Sequence, residues 1–165
     1  MNLARTQPKA YAAILSAHAR PGREGSSAVR EAVRFLEKAS PLPPLESSSG
    51  LNRSAMDHVA DTGGRGTMSH SGSDGSRSWD RVERYGRWMG LVGENISYGN
   101  RSARQIVIQL IVDDGVRGRK HRANIFQKGY RVAGVAYGHH SRLGAMCVTD
   151  FAGGFVETTG RLAKL

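Results

Sequence analysis

Apolar residues recur at helical spacing through roughly the first two thirds of this chain, and strict alternation appears only near its carboxyl end. Helices first and strands late point to the α+β class, with helices packed on an antiparallel sheet. At 165 residues with no internal repeat, the chain is read as a single domain, 1–165, long enough to bury a real core.

The spacing predicts a first helix over 2–20, with Pro8 near its start and Tyr11, Ile14, Leu15 and His18 on one face; Pro21 and Gly22 end it. A second helix over 28–39 turns Val29, Val33 and Leu36 inward and Arg30, Arg34 and Lys38 outward. A third, over 51–62, carries Leu51, Ala55, Met56 and Val59 and stops at Gly63-Gly64. A short helix over 76–85 places Trp79 and Val82 on its apolar side. Ser102 and Gln105 have capping-box spacing and open a last long helix, whose stripe is Ala103, Ile106, Val107, Leu110 and Ile111. Runs over 131–138 and 143–151, joined by His139-His140-Ser141-Arg142, read as an antiparallel hairpin.

Composition narrows the functional classes. The net charge of +10 comes mostly from arginines spread over several predicted helices, with no block of five like charges. A basic, solvated surface that attracts anionic membranes fits that spread. No helix-turn-helix, zinc-finger or aromatic RNA-binding motif is present, so no specific nucleic-acid partner is expected. The single cysteine, Cys147, excludes an intrachain disulfide and sits in an alternating apolar run, as a buried strand thiol would. No apolar run reaches the ~20 residues of a membrane-spanning helix. The amino terminus lacks the basic start and apolar core of a signal peptide.

Three polar motifs fall in order between the apolar segments: Met68-Ser69-His70, then Gly93-Glu94-Asn95-Ile96, then Asp113-Asp114 followed by Lys120-His121-Arg122-Ala123-Asn124-Ile125-Phe126. Each has a plain reading. A loop histidine is usually solvated, and Gly-Glu-Asn reads as a tight turn. Asp113 and Asp114 are less ordinary, because a helix carboxyl end disfavours acids and a nearby cation or imidazolium would account for them. Taken together, two histidines and two acids can hold a divalent metal or form a hydrogen-bonded polar network. His58 reads as a packed or solvated helix residue, His139 and His140 as an exposed turn, and Trp79, Trp88 and Tyr98 as core or rim.

The order and wording of these motifs resemble the CAP superfamily of cysteine-rich secretory proteins, antigen 5 and plant pathogenesis-related proteins, in its cysteine-poor bacterial-type branch. The opening Asn2-Leu3-Ala4-Arg5 with Pro8 and Tyr11, Asp74-Gly75 with Arg81 and Gly86, and His121-Arg122 with Asn124-Ile125 carry the likeness along essentially the whole chain. The resemblance implies an α-β-α sandwich whose central cleft is lined by His70, Glu94, Asp114 and His121. Asp114 is chosen over Asp113 for its spacing behind the apolar helix. The chain departs from the pattern in an Asp where animal members carry Glu, in Lys120 where glycine usually precedes the histidine, and in lacking the disulfides of the animal and plant branches.

The resulting expectation is a secreted or cell-surface interaction module whose cleft takes a small ligand, a lipid or a weakly held zinc ion on His70 and His121. The alternative is a protease-like hydrolase using the His70, Glu94 and His121 cleft, although no Gly-x-Ser-x-Gly elbow is present. An extracellular or cell-envelope location follows from the resemblance alone.

Overall fold

The computed structural model describes residues 1–158. The predicted first helix is two helices, α1 (Asn2–Thr6) and α2 (Pro8–His18), separated at Gln7. Pro8 is the cause: it lacks an N–H and its ring pushes the preceding residue out of the helical region, so Gln7 sits at φ −135° and ψ 59°. The next helices are α3 (Ser26–Lys38), α4 (Ser49–Gly63) and α5 (Ser78–Glu83). They are followed by α6 (Ala103–Val112) and α7 (Lys120–Ile125). On α3 the inward residues are Ala28, Ala32 and Leu36, with Val29 and Val33 only half-buried. Met56, Trp79 and Ala103, expected inside, are exposed.

The strands are β1 (Glu46–Ser47), β2 (Gly86–Tyr98), β3 (Val132–Gly138) and β4 (Met146–Glu157), in the spatial order β1-β3-β4-β2. Both long pairings are antiparallel, and the two-residue β1 adds a parallel edge, so the sheet is mixed. Gly93-Glu94-Asn95, read above as a turn, lies inside β2 and pairs with Phe151, Asp150 and Thr149 of β4. An irregularity between Met89 and Val92, with Gly90 at φ 74°, lets this long strand bend.

Alternation along β4 explains the layers. Cys147 and Phe151 join a core made by α2, α3 and α6, whereas Met146 and Val148 pack on Ala55 and Val59 of α4. Ala152 meets Leu51 and Val82 on that second side. Helices therefore cover both faces of the sheet, in an α-β-α sandwich, and β4 is buried along most of its length. At Gly134 of β3 the helix backbone lies so close that an added Cβ would sit 2.1 Å from the Leu51 carbonyl carbon.

Arg5 is the least expected part of the core. Fully buried, it donates from Nε to Pro43 O (3.0 Å) and from Nη1 to Ile125 O (2.6 Å) and Gln127 O (3.2 Å). Its Nη2 reaches Tyr130 O at 3.4 Å. One side chain thus fastens α1 to the loop before β1, to the end of α7 and to the loop that follows α7. Arg5→Ala is expected to destabilise the protein by about 3 kcal/mol or more, through a cavity plus orphaned carbonyls. The midpoint of urea unfolding reads that loss.

Candidate functional site

The first half of the site is built on Glu94. Its side chain, 2% exposed, accepts at Oε2 from Arg81 Nη2 of α5 at 2.6 Å. Its Oε1 lies 2.7 Å from His70 Nδ1. Arg81 also donates to the His70 carbonyl at 3.3 Å from both terminal nitrogens and to Ser76 O at 3.0 Å. The loop carrying His70 is thereby held at its backbone and its ring by one ion pair. His58 of α4 adds a third tie, its Nε2 donating to Ser69 O at 2.8 Å. Burial is the largest influence on His58 and holds it below the ordinary histidine range, so it serves as a neutral donor.

Behind Glu94 lies Asp150 of β4, fully buried, with Ser54 Oγ of α4 donating to its Oδ2 at 2.6 Å. Burial first, and the neighbouring Glu94 charge second, push the Asp150 carboxyl up to about 8.

The second half is built on Asp113, which ends α6 in the left-handed region at φ 53° and ψ 43°. That turn aims its carboxylate at the start of α7. Oδ2 accepts from the backbone N–H of His121 at 2.8 Å, and Oδ1 lies 2.6 Å from His121 Nδ1. An acid that is awkward at one helix's carboxyl end is thus favourable at the next helix's amino end. Arg122 donates to the α6 carbonyls of Ile111 and Val112, at 2.5 Å and 3.2 Å, and to Glu31 Oε1 at 2.9 Å. Asn95 Nδ2 holds the His121 carbonyl at 2.9 Å, and Asn124 Nδ2 bonds Asn95 Oδ1 at 2.8 Å.

His121 thus takes its acid partner from Asp113, whereas the expectation named Asp114 among the cleft residues. Half-buried Asp114 accepts at Oδ1 from Glu24 N at 2.9 Å and tethers the loop between α2 and α3. The left-handed turn at Asp113 separates the two side chains, a backbone feature that helix spacing does not show. Asp114 still borders the same cleft.

That cleft has a volume of about 620 Å³. His70, Asp113 and His121 lie along its polar side, with Ile96, Ile108 and Val112 among its apolar walls. Glu94 stands behind His70 rather than in the wall. Carboxylates accept, so Nδ1 of each imidazole carries the proton and Nε2 is left for a ligand. Neither Nε2 finds a hydrogen-bond partner among the described residues. Among those residues no group of three or more His, Cys, Asp or Glu side chains is set to hold a metal ion. Lys120 is exposed, and buried Cys147 has its thiol raised to about 11 by desolvation. His140 is buried against Tyr98, with ring centroids 5.1 Å apart, while His139 is the exposed member of that pair.

Sequence reasoning missed Arg81, His58 and Asp150 as parts of this network. Arg81 left a signal only through the family resemblance, and Asp150 left one as an acid inside a run of alternating apolar residues.

Comparison with known proteins agrees with this architecture. The chain matches the family described as CAP: Cysteine-rich secretory protein family over residues 2–151, and it belongs to that family. No curated protein matches its sequence. Among solved structures, an outer surface protein from Borrelia burgdorferi is similar at TM-score 0.54 and 17% identity, over 67% of this chain and 78% of that one. An extracellular protein containing a SCP domain from Bacillus anthracis str. Ames is similar at TM-score 0.55 and 20% identity. That match covers 67% of this chain and 34% of the Bacillus protein, so this chain spans about a third of its length. At such identities the likeness is one of fold.

The two aspartates are expected to separate on mutation. Asp113→Ala removes a side-chain bond and a helix cap and is expected to cost about 2 kcal/mol, against less than about 1 kcal/mol for Asp114→Ala. Chemical denaturation of both variants checks the order.

Proposed function

We propose that this CAP-domain chain is an extracellular or cell-surface binding module whose cleft takes a small ligand, with a divalent metal such as zinc weakly held by His70 and His121. The observation that carries this reading is the pairing of each imidazole with a buried carboxylate. Glu94 and Asp113 fix the rings and leave both Nε2 atoms as electron-pair donors on the same cleft. Metal-binding histidines carry this kind of support, which orients the ring and raises its basicity. Two imidazoles fall short of the three or four protein ligands of ordinary zinc sites, so water or the ligand must complete the coordination. The residues fit a loosely bound ion and not a closed structural site.

The mixture of apolar residues and histidines in the lining suits a ligand with an apolar body and a polar head, including a lipid, and the volume falls within the usual range for small-molecule sites. The names of the two structural neighbours, an outer surface protein and an extracellular protein, support an extracellular or cell-surface setting. The hydrolase alternative has no supporting contact. Ser69 Oγ accepts from Ser71 N at 2.9 Å, and no hydroxyl among the described residues hydrogen-bonds either cleft histidine.

Isothermal titration with zinc alone tests the site. His70→Ala and His121→Ala should each lower affinity roughly tenfold or more, while His139→Ala, at an exposed turn, leaves it unchanged. Equal loss in all three, or no binding heat in the unaltered protein, would sink the metal reading. A separate measurement addresses the +10 surface: binding to vesicles should rise with anionic lipid content and fall with added salt. Salt-independent binding would reject charge attraction as its basis.

A further inference from the structure

Asp150 has no place in the binding reading, yet its position is unusual. It is fully buried, stands directly opposite Glu94 in the β2–β4 register, and points to the same side of the sheet. Its Oδ2 is satisfied by Ser54, but its Oδ1 has no partner among the described residues. Glu94, meanwhile, is the residue that faces it across the strand pair. Two bare carboxylates cannot satisfy one another, and an orphaned buried oxygen is costly. A proton on Oδ1 removes both difficulties at once.

We propose that Asp150 is a protonated acid at neutral pH that donates a hydrogen bond to Glu94 behind His70, which makes Asp150 the positioning residue for that histidine. The surrounding charges fit. Arg81 of α5 faces the pair and already bonds Glu94, so one guanidinium serves two carboxyl groups. From α4 come the neutral His58 and the hydroxyl of Ser54. β3 presents Gly134, which brings no charge. His70 lies on the far side of Glu94, its side chain 58% exposed. Among the described residues, no second cation reaches Asp150 to hold it ionised.

With its proton in place, Asp150 adds no second charge to the buried site, and Glu94 keeps both oxygens engaged with Arg81 and His70. The ring of His70 is then oriented through Glu94 by a group it does not touch. This holds whether or not the cleft takes a metal, so failed zinc binding would leave it standing.

The test is the pH dependence of unfolding in the unaltered protein and in Asp150→Asn, which keeps a donor for Glu94 and an acceptor for Ser54. An acid whose folded pKa is raised contributes stability that is fully present below its unfolded value, about 3.9, and lost as pH rises through the folded one. The unfolding constant of the unaltered protein relative to Asp150→Asn should therefore rise roughly tenfold per pH unit between about 5 and 7. It should level off above about 8. A flat ratio, or one that falls with pH, would overturn the proposal. Should Asp150→Asn fail to fold, carboxyl-carbon magnetic resonance of Asp-labelled unaltered protein decides. One buried aspartate at the protonated shift at pH 7 supports the pair, and none overturns it. For the positioning role, the imidazole nitrogen signals of His70 should stay in place in Asp150→Asn and move in Asp150→Ala; no movement in the alanine variant would end that role.

Discussion

Glu94 and Asn95 are neighbours in the chain, and strand geometry sends them to opposite faces of the sheet. The site depends on that constraint. On one face Glu94 fixes the His70 ring and, through Arg81, the His70 backbone. On the other, Asn95 fixes the His121 backbone and is itself fixed by Asn124. β2 is the outer strand of the sheet, so the two histidine segments reach round one edge and border a common cleft. No direct bond between the segments is needed. A strand with one dry face and one wet face could not do this, because both neighbours must be buried and both must be polar.

A buried ion pair is a poor source of stability, since desolvation offsets much of its Coulomb gain. Arg81 and Glu94 are tolerable because most of their remaining capacity is used, Arg81 Nε being the one buried donor of the pair without a partner among the described residues. Both carboxylate oxygens have partners, and the guanidinium also serves loop carbonyls. What the arrangement supplies is definition of an irregular segment between α4 and α5. Losing either partner would strand the other in a nearly dry site, which makes the pair difficult to remove singly.

The periodic elements are legible in the sequence, and so is the order of the polar motifs that carry His70, Glu94 and His121. Helical spacing located α3, α4 and α6, and alternation located the β3–β4 hairpin, because their apolar faces follow simple periods. Legibility failed where polar groups are buried. Gly93-Glu94-Asn95 was read as a turn because two consecutive polar residues do not look like a strand covered on both faces. The choice between Asp113 and Asp114 turned on one residue in a left-handed conformation, which leaves no mark on spacing. Arg5 looks like any surface arginine until two distant carbonyl-bearing stretches, at Pro43 and over 125–130, are brought around it.

Arg5 also changes the meaning of the chain's basic composition. Arg5, Arg81 and Arg122 are all nearly or fully buried, and each bonds backbone carbonyls outside its own helix. A guanidinium has five donors in a rigid plane, so one side chain can satisfy several carbonyls at once. Lysine, a flexible point charge, could not span the same set. With a single cysteine, this chain cannot cross-link its loops covalently, and these three arginines hold them by hydrogen bonding instead. Arg5 secures the segment after α7, Arg81 the His70 loop, and Arg122 the end of α6 beside His121. Two of the three therefore hold segments that line the cleft. Part of the arginine content is structural, and the surface charge available to an anionic partner is smaller than the bare composition implies.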